Sequence, residues 1–228
     1  MTQLEQSNVS RDTARFNMIE QQIRTWEVLD PTVLALLNDV PRENFVPHDY
    51  TGLAFADIEV PIGFGQTMLH PKLEARMLQA LSVQKTHTAL HIGTGSGYFT
   101  ALLASLAKHV VSVEIHTELS QQAAKNLAQN NIQNVTLEVA DGTFGRAGKL
   151  SQSFYDVIVY TASSPVEPAG VRQQLNIGGT MLIVLGSAPV MQATRIQRVS
   201  ETGFKQEVLF ETCIPELMNA PQAQQFEF

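Results

Sequence analysis

The sequence predicts an α/β fold: three layers around a mostly parallel seven-stranded sheet, with antiparallel C-terminal strands and an N-terminal helical segment. Three observations carry this. Apolar runs at 89–92, 110–113, 135–139, 157–160 and 181–185 alternate with helical stretches near 97–107, 118–130 and 168–175, which is the βαβ rhythm of a right-handed parallel sheet. The rhythm then changes, and residues 192–199, Gly203 and residues 206–214 read as two strands joined by a turn, an antiparallel hairpin closing the sheet. Before residue 83 there are no such alternations, only helical spacing and Pro/Gly loops.

In chain order, residues 1–12 are polar and read as a disordered tail, and residues 218–228, rich in Gln and Ala, as a second one. Between them, 13–217 reads as one domain, divided into an N-terminal helical and loop segment (13–82) and a sheet segment (83–217). Asp30 followed by Pro31 is an N-cap with Pro at the first helical position, and Val33, Leu36, Leu37 and Val40 then recur at helical spacing. Pro41 and Pro47 stop that helix. A loop carrying Gly63 and Gly65 leads to Pro71, which starts a helix through Leu81.

Composition removes several function classes. The chain has 228 residues, 44% hydrophobic and 16% charged, the make-up of a folded domain rather than a disordered one. One cysteine excludes a disulfide framework or a zinc ribbon within the chain. Cys213 falls in the last strand and reads as an inert core thiol. No window approaches a membrane span, and the polar start has no apolar signal region, so a cytoplasmic location is expected. A net charge of −7 argues against a nucleic-acid partner. The six histidines show no HxxxH or HxH spacing, so no metal is expected.

The strongest local motif is His91-Ile92-Gly93-Thr94-Gly95-Ser96-Gly97-Tyr98. It follows an apolar strand and opens a helix, where glycines let a ligand approach the backbone and the helix N-terminus faces it. It lacks the third glycine of a dinucleotide fingerprint, the Gly-Lys-Ser/Thr of a P-loop and the G-x-S-x-G of a hydrolase elbow. Glu114 ends the next strand, about twenty residues on, where a carboxylate can accept from two ribose hydroxyls. Asp141-Gly142 follows the third strand, and Asp141 can accept from an adenine amino group there. Three features on consecutive strand ends point to one crevice for an adenosine-bearing ligand.

These residues, with the stretches 155–159 and 175–180, resemble the S-adenosyl-L-methionine site of class I methyltransferases. The remainder of the chain narrows the resemblance. Arg15–Gln22, Val40-Pro41-Arg42-Glu43-Asn44-Phe45-Val46-Pro47, Pro61-Ile62-Gly63-Phe64-Gly65-Gln66-Thr67 and Thr161-Ala162-Ser163-Ser164-Pro165 resemble the protein-L-isoaspartate O-methyltransferase family, in order and with similar gaps. The resemblance implies a Rossmann-like methyltransferase fold and an enzyme that methyl-esterifies the side-branch carboxylate of isoaspartyl residues in damaged proteins or peptides, a repair reaction. It further implies that Gly93, Thr94, Gly95, Ser96 and Gly97 lie beneath the methionine and ribose. Glu114 would hold the ribose, with Asp141 and Gly142 by the adenine. The stretch from Gln66 to Leu69 would face the transferred methyl, with Gln66 and Thr67 also on the cofactor.

Two positions depart from the family pattern. The family carries an active-site Ser two residues after the Thr of Gly-Gln-Thr, and this chain has Leu69 there; Thr67, His70 or Lys72 would have to compensate. Many relatives carry an acid just before Ile-Gly, thought to help hold the methionine amino group, where this chain has His91, whose neutral ring can still accept a hydrogen bond. The alternatives are a methyltransferase with a different acceptor and a non-catalytic cofactor-binding protein of the same fold. A nucleic-acid amino-methyltransferase would show Asn/Asp-Pro-Pro-Tyr/Phe where this chain has Tyr160-Thr161-Ala162-Ser163-Ser164-Pro165. The sequence leaves the oligomeric state open.

Overall fold

The computed structural model describes residues 3–146 and 154–223. Helix α1 (Gln3–Asn17) runs into a π-helical turn (Met18–Ile23) and a 3-10 turn (Arg24–Trp26), which ends at Glu27 in the left-handed region. The helix therefore covers residues 3–12, expected as a disordered tail. No Gly or Pro interrupts the run before Pro31, and its C-terminal part is anchored by buried Met18, Ile19 and Ile23. A polar overhang can continue such a helix without showing an apolar period of its own.

Helix α2 (Pro31–Asp39) starts as expected: the Asp30 carboxylate accepts from the backbone N–H of Thr32 at 2.7 Å and of Val33 at 3.3 Å. The expected glycine loop is a hairpin, β1 (Val60–Gly63) paired antiparallel with β2 (Gln66–Met68). Its tip, Phe64-Gly65, takes positive φ at both residues, the geometry that matches a two-residue turn to twisted strands. Phe64 hides this from sequence reading, because Asn or Gly is the usual signal there. Helix α3 (Pro71–Leu81) follows.

The main sheet contains β3 (Thr88–Ile92), β4 (His109–Glu114), β5 (Val135–Val139), β6 (Tyr155–Ser164), β7 (Leu175–Ser187), β8 (Val190–Arg198) and β9 (Phe204–Thr212), in the order β5-β4-β3-β6-β7-β8-β9. The first five pair in parallel, while β8 pairs antiparallel with β7 and β9 antiparallel with β8. Helices α4 (Tyr98–Leu106) and α5 (Thr117–Gln129) make the first two crossovers. The helix expected at 168–175 is only a 3-10 turn at Arg172–Gln174; Pro165, Pro168 and Gly170, the last at φ +79°, leave no uninterrupted helical run.

Alternate residues of each strand serve two cores. Ala89, Val157, Val159, Leu182 and Val184 pack against α2, α3 and α4. Leu90, Ile92, Ile158, Tyr160 and Ile183 face the other way and, among the described residues, are covered by Val171, Leu175 and Leu217. Strand order reverses direction between β3 and β6, so the chain leaves these two strand ends on opposite sides and opens a crevice there. Cys213 lies just past β9 and is exposed, not the core thiol expected. Among the described residues no helix is long and apolar enough to cross a membrane, and no cluster of three or more His, Cys, Asp or Glu could hold a metal.

Candidate active site

A crevice opens at the β3/β6 strand ends, with about 780 Å³ of free space when the open solvent at its mouth is included. Gly93, Thr94, Gly95 and Ser96 border it, and their turn is pinned by Gly93 N–H to Val113 O at 2.9 Å and Gly97 N–H to Thr94 O at 2.9 Å. Gly93 has φ +95°, and a Cβ there would stand 2.9 Å from the Thr161 hydroxyl, so only glycine fits. Gly97 does not border the crevice. Its missing Cβ would stand 3.2 Å from Ala123 Cβ, so it brings α4 against α5, a packing role rather than the ligand-floor role the sequence suggested.

Glu114 ends β4 with its carboxylate buried at the crevice. Oε2 accepts from Gly95 N–H at 2.9 Å and Oε1 from His116 N–H at 3.1 Å. Asp141 and Gly142 follow β5. Asp141 Oδ1 accepts from the backbone N–H and hydroxyl of Thr143, and Oδ2 from the Asn219 amide at 3.0 Å. Partial burial acts to raise its pKa, but these hydrogen bonds outweigh it and hold the carboxyl below its ordinary range. Leu217 N–H bonds Ser163 O at 2.8 Å, and Met218 O lies 3.2 Å from the Thr143 hydroxyl oxygen, whose proton goes to Asp141. Part of the expected C-terminal tail is therefore a crevice wall; residues 224–228 of that tail lie outside the described residues.

His91 is not at the crevice. It is fully buried, and both ring nitrogens are engaged, Nδ1 with the Thr100 hydroxyl at 2.9 Å and Nε2 with the Thr161 hydroxyl at 3.0 Å. Thr161 Oγ1 also lies 2.8 Å from Gly93 O, which can only accept. The Thr161 proton therefore goes to Gly93, and His91 donates to Thr161 from Nε2 while Nδ1 accepts from Thr100. Burial lowers the His91 pKa to about 3, so the ring is neutral. The sequence left open what His91 does in place of the family's acid; with both ring nitrogens taken, it braces the wall made by Gly93 and Thr161.

At the other end, the β1–β2 hairpin brings Gln66, Thr67, Met68 and Leu69 to the crevice. The Thr67 hydroxyl donates to Glu59 at 3.3 Å, and the Gln66 amide reaches Phe64 O at 3.5 Å. Phe64 at the tip stacks on His116 with centroids 4.8 Å apart. His70 does not border the crevice; with Lys72 it pairs with Asp57, at 3.1 Å and 2.5 Å. His70 stands at the N-cap position of α3 but makes no capping hydrogen bond, its ring nitrogen being on Asp57 instead.

Sequence reading missed Glu74. It is 3% exposed yet borders the crevice on α3, paired with the equally buried Arg42. Arg42 also donates from Nε to Ala54 O at 3.0 Å and from Nη2 to Leu69 O at 2.8 Å, and its guanidinium lies 4.9 Å from the Tyr98 ring centroid. Burial pushes the Glu74 pKa up to about 7, with Arg42 pulling against it. The available signal was a single acid in line with Met77, Leu78 and Leu81 on the apolar face of a helix.

Comparison with known proteins agrees with this architecture. The family model for protein-L-isoaspartate(D-aspartate) O-methyltransferase matches residues 13–215. A protein-L-isoaspartate O-methyltransferase of Rhodopseudomonas palustris is 38% identical over 211 residues, 92% of this chain and 95% of that protein. Protein-L-isoaspartate O-methyltransferase 2 of Marinobacter nauticus is 39% identical over 190 residues, 83% and 85% of the two chains. In fold, the chain is similar to a Plasmodium falciparum β-aspartate methyltransferase crystallised with S-adenosyl-L-homocysteine: TM-score 0.77, 19% identity, 88% of this chain and 96% of that one. With a crevice at the β3/β6 switch, a glycine turn beneath it and a sequence match across nearly the whole described chain, the chain belongs to the protein-L-isoaspartate(D-aspartate) O-methyltransferase family.

Proposed function

We infer that this chain is an S-adenosyl-L-methionine-dependent methyltransferase that esterifies the carboxylate of L-isoaspartyl residues in damaged proteins and peptides. The observation that carries this is the convergence of Gly95, Glu114 and Asp141, from three consecutive strand ends, on one crevice roofed by the β1–β2 hairpin. The residues present fit the cofactor. A Cβ on Gly142 would stand 2.8 Å from Ile92, so the turn after β5 packs directly on the end of β3 and keeps the crevice floor in place. His116 Nε2 is buried at the crevice without a hydrogen-bond partner among the described residues.

Residues 93–96 would hold the methionine and ribose, Glu114 the ribose hydroxyls, and Asp141 with Gly142 the adenine. Gln66, Thr67 and Leu69 would flank the reacting groups. When bound, the cofactor supplies a methyl on a cationic sulfonium, whose transfer leaves a neutral ester and a neutral thioether. An acceptor carboxylate with a pKa of about 4 is already ionised at neutral pH and needs no base. The chain's own task is therefore to align that oxygen and exclude water, and Ile62, Met68 and Leu69 line the crevice with apolar surface. Residues 13–217 would act as one domain, located in the cytoplasm.

Leu69 favours one second reading, methyl transfer to a different acceptor, because it puts no hydroxyl where the family carries one. The test is transfer from labelled S-adenosylmethionine to an isoaspartyl peptide and its aspartyl twin. Base-labile label on the isoaspartyl peptide alone is expected. Cofactor binding by calorimetry with no label on either peptide would overturn the proposal and leave the second reading or a binding protein.

A further inference from the structure

The acceptor end contains one buried cation and one buried acid, and their arrangement bears on how an anionic acceptor is received. Arg42 is committed to the protein: its three hydrogen-bonding nitrogens go to Ala54 O, Glu74 and Leu69 O, and its face lies over Tyr98. Glu74 uses Oε2 for Arg42, and no protein donor reaches Oε1 among the described residues. Glu74, not Arg42, is the one of the two that borders the crevice, next to Met68 and Leu69. A carboxylate entering there meets another carboxyl group before it meets any positive charge.

Two carboxyl groups sharing a buried site do not both ionise, and one proton is held between them. We propose that Glu74, as the neutral acid, donates a hydrogen bond to one oxygen of the acceptor carboxylate and leaves the other oxygen to take the methyl. The proposal rests on the isoaspartyl reading above and supplies the donor that Leu69 removes. Charge balances: before binding the site holds Arg42⁺ and Glu74⁻, and after binding Arg42⁺ and the acceptor anion, with Glu74 having taken one proton from solvent. A hydrogen bond from a neutral acid to a carboxylate is charge-assisted and among the stronger kinds.

The surroundings suit this. Burial already lifts the Glu74 pKa to about 7, so the acid form is accessible at neutral pH. The groups around it are Arg42 from the 42–44 turn and Tyr98 from α4, whose phenol burial pushes up and keeps neutral. Behind Tyr98, Glu43 is paired with Arg15 at 2.5 Å. On the neighbouring hairpin and helix start, Glu59 takes the Thr67 hydroxyl and Asp57 is shared by His70 and Lys72. Arg42 is the one cation in direct contact with Glu74 among these.

The experiment is the pH dependence of KM and kcat for an isoaspartyl peptide, from about pH 5.5 to 9, in the wild type, Glu74→Gln and Glu74→Leu. In the wild type KM is expected to rise with pH above about 7, approaching tenfold per unit, because each binding event takes up one proton. Glu74→Gln keeps an oxygen for Arg42 and a permanent N–H for the acceptor, so its KM should be flat with pH. Glu74→Leu should raise KM about 10- to 100-fold, the worth of a charged hydrogen bond, with cofactor affinity by calorimetry unchanged as the check on folding. A Glu74→Gln profile that tracks the wild type overturns the proposal. Loss of turnover in Glu74→Gln beside a pH-independent wild-type KM also overturns it, and makes Glu74 a base instead. A wild type that binds cofactor yet labels no isoaspartyl peptide at any pH removes the isoaspartyl reading itself.

Discussion

The two ends of the crevice are built by different means. At the end proposed for the cofactor, the surface is mostly main chain: positive-φ glycines at 93 and 95 and strand-end turns at Glu114 and Asp141, whose carboxylates are themselves held by backbone N–H groups. At the acceptor end it is mostly side chain, and the groups come from far apart. Arg42 follows α2, Leu69 ends the hairpin, Glu74 sits on α3, and one guanidinium ties them together. A main-chain surface depends on local conformation, and so on the few positions, such as Gly93, that only glycine fits. A side-chain surface depends on burial and pairing, so a single substitution can alter what it accepts.

The largest expected effect lies at the acceptor end. Arg42→Met leaves Glu74 buried without its partner and two carbonyls without donors, and breaking a buried pair from one side costs about 3–5 kcal/mol. For a chain of this size that is a fall in Tm of about 10 °C or more. Arg42→Met combined with Glu74→Met should recover much of it, since an apolar pair of similar volume removes the stranded charge. A loss below about 1 kcal/mol in the single variant would mean the pair does not organise this end.

At the cofactor end, Gly93→Ala and Gly97→Ala separate ligand approach from packing. Gly93→Ala forces a positive φ on a side chain and meets Thr161, for about 1–3 kcal/mol of strain, and should lower cofactor affinity at least tenfold by calorimetry. Gly97→Ala should lower Tm through the α4–α5 contact while changing affinity by less than about threefold. Equal losses of affinity would erase the distinction drawn between these two glycines.

pH gives a third comparison, because the buried groups of the two ends act in opposite senses. His91 has a folded pKa near 3, below its ordinary 6.5. Between these values the unfolded chain binds a proton the native one refuses, so stability falls as pH drops from about 6.5 towards 3. Glu74 has a folded pKa near 7, above its ordinary 4.5. There the native chain holds the extra proton, so stability falls as pH rises from about 4.5 to 7. Each slope is at most about 1.4 kcal/mol per pH unit, and they oppose each other near pH 5–6. Denaturant unfolding of Glu74→Gln across that range should expose the rising His91 slope. His91→Gln should expose the falling one. An unchanged flat profile in both would refute both burial effects.

The smallest effect is expected at the C-terminal wall. Asn219→Ala removes one exposed hydrogen bond to Asp141, worth about 0.5–1.5 kcal/mol. Cofactor affinity should shift by only a few-fold. A loss as large as that of Gly93→Ala would move the C-terminal segment from rim to essential wall.

Much of the fold was legible because it is written locally. Asp30-Pro31 marks a helix start by capping chemistry, the inner strands show as short continuous apolar runs, and the Gly93-Thr94-Gly95 turn follows from short-range sterics. The errors lie where local signals were silent or misleading. Phe64 in a left-handed turn hid the β1–β2 hairpin, Pro168 and Gly170 cut short the helix expected at 168–175, and the polar start of α1 showed no buried face. Cys213 sits at a strand end, where position in the run says little about exposure.

The sequence by itself determined the strand–helix alternation, the glycine turn and the acids at the strand ends, because such signals act over a few residues, and its motifs carried the resemblance to the family. Only the tertiary structure decided which side chains reach the crevice. It withdrew His70 to Asp57, buried His91 behind Thr161, turned Gly97 into a packing contact, and brought Glu74 forward against Arg42. The physical reason is that burial sets the role of a polar group, through its partners and its proton affinity. The partners here lie up to 70 residues away along the chain, beyond the reach of any local pattern.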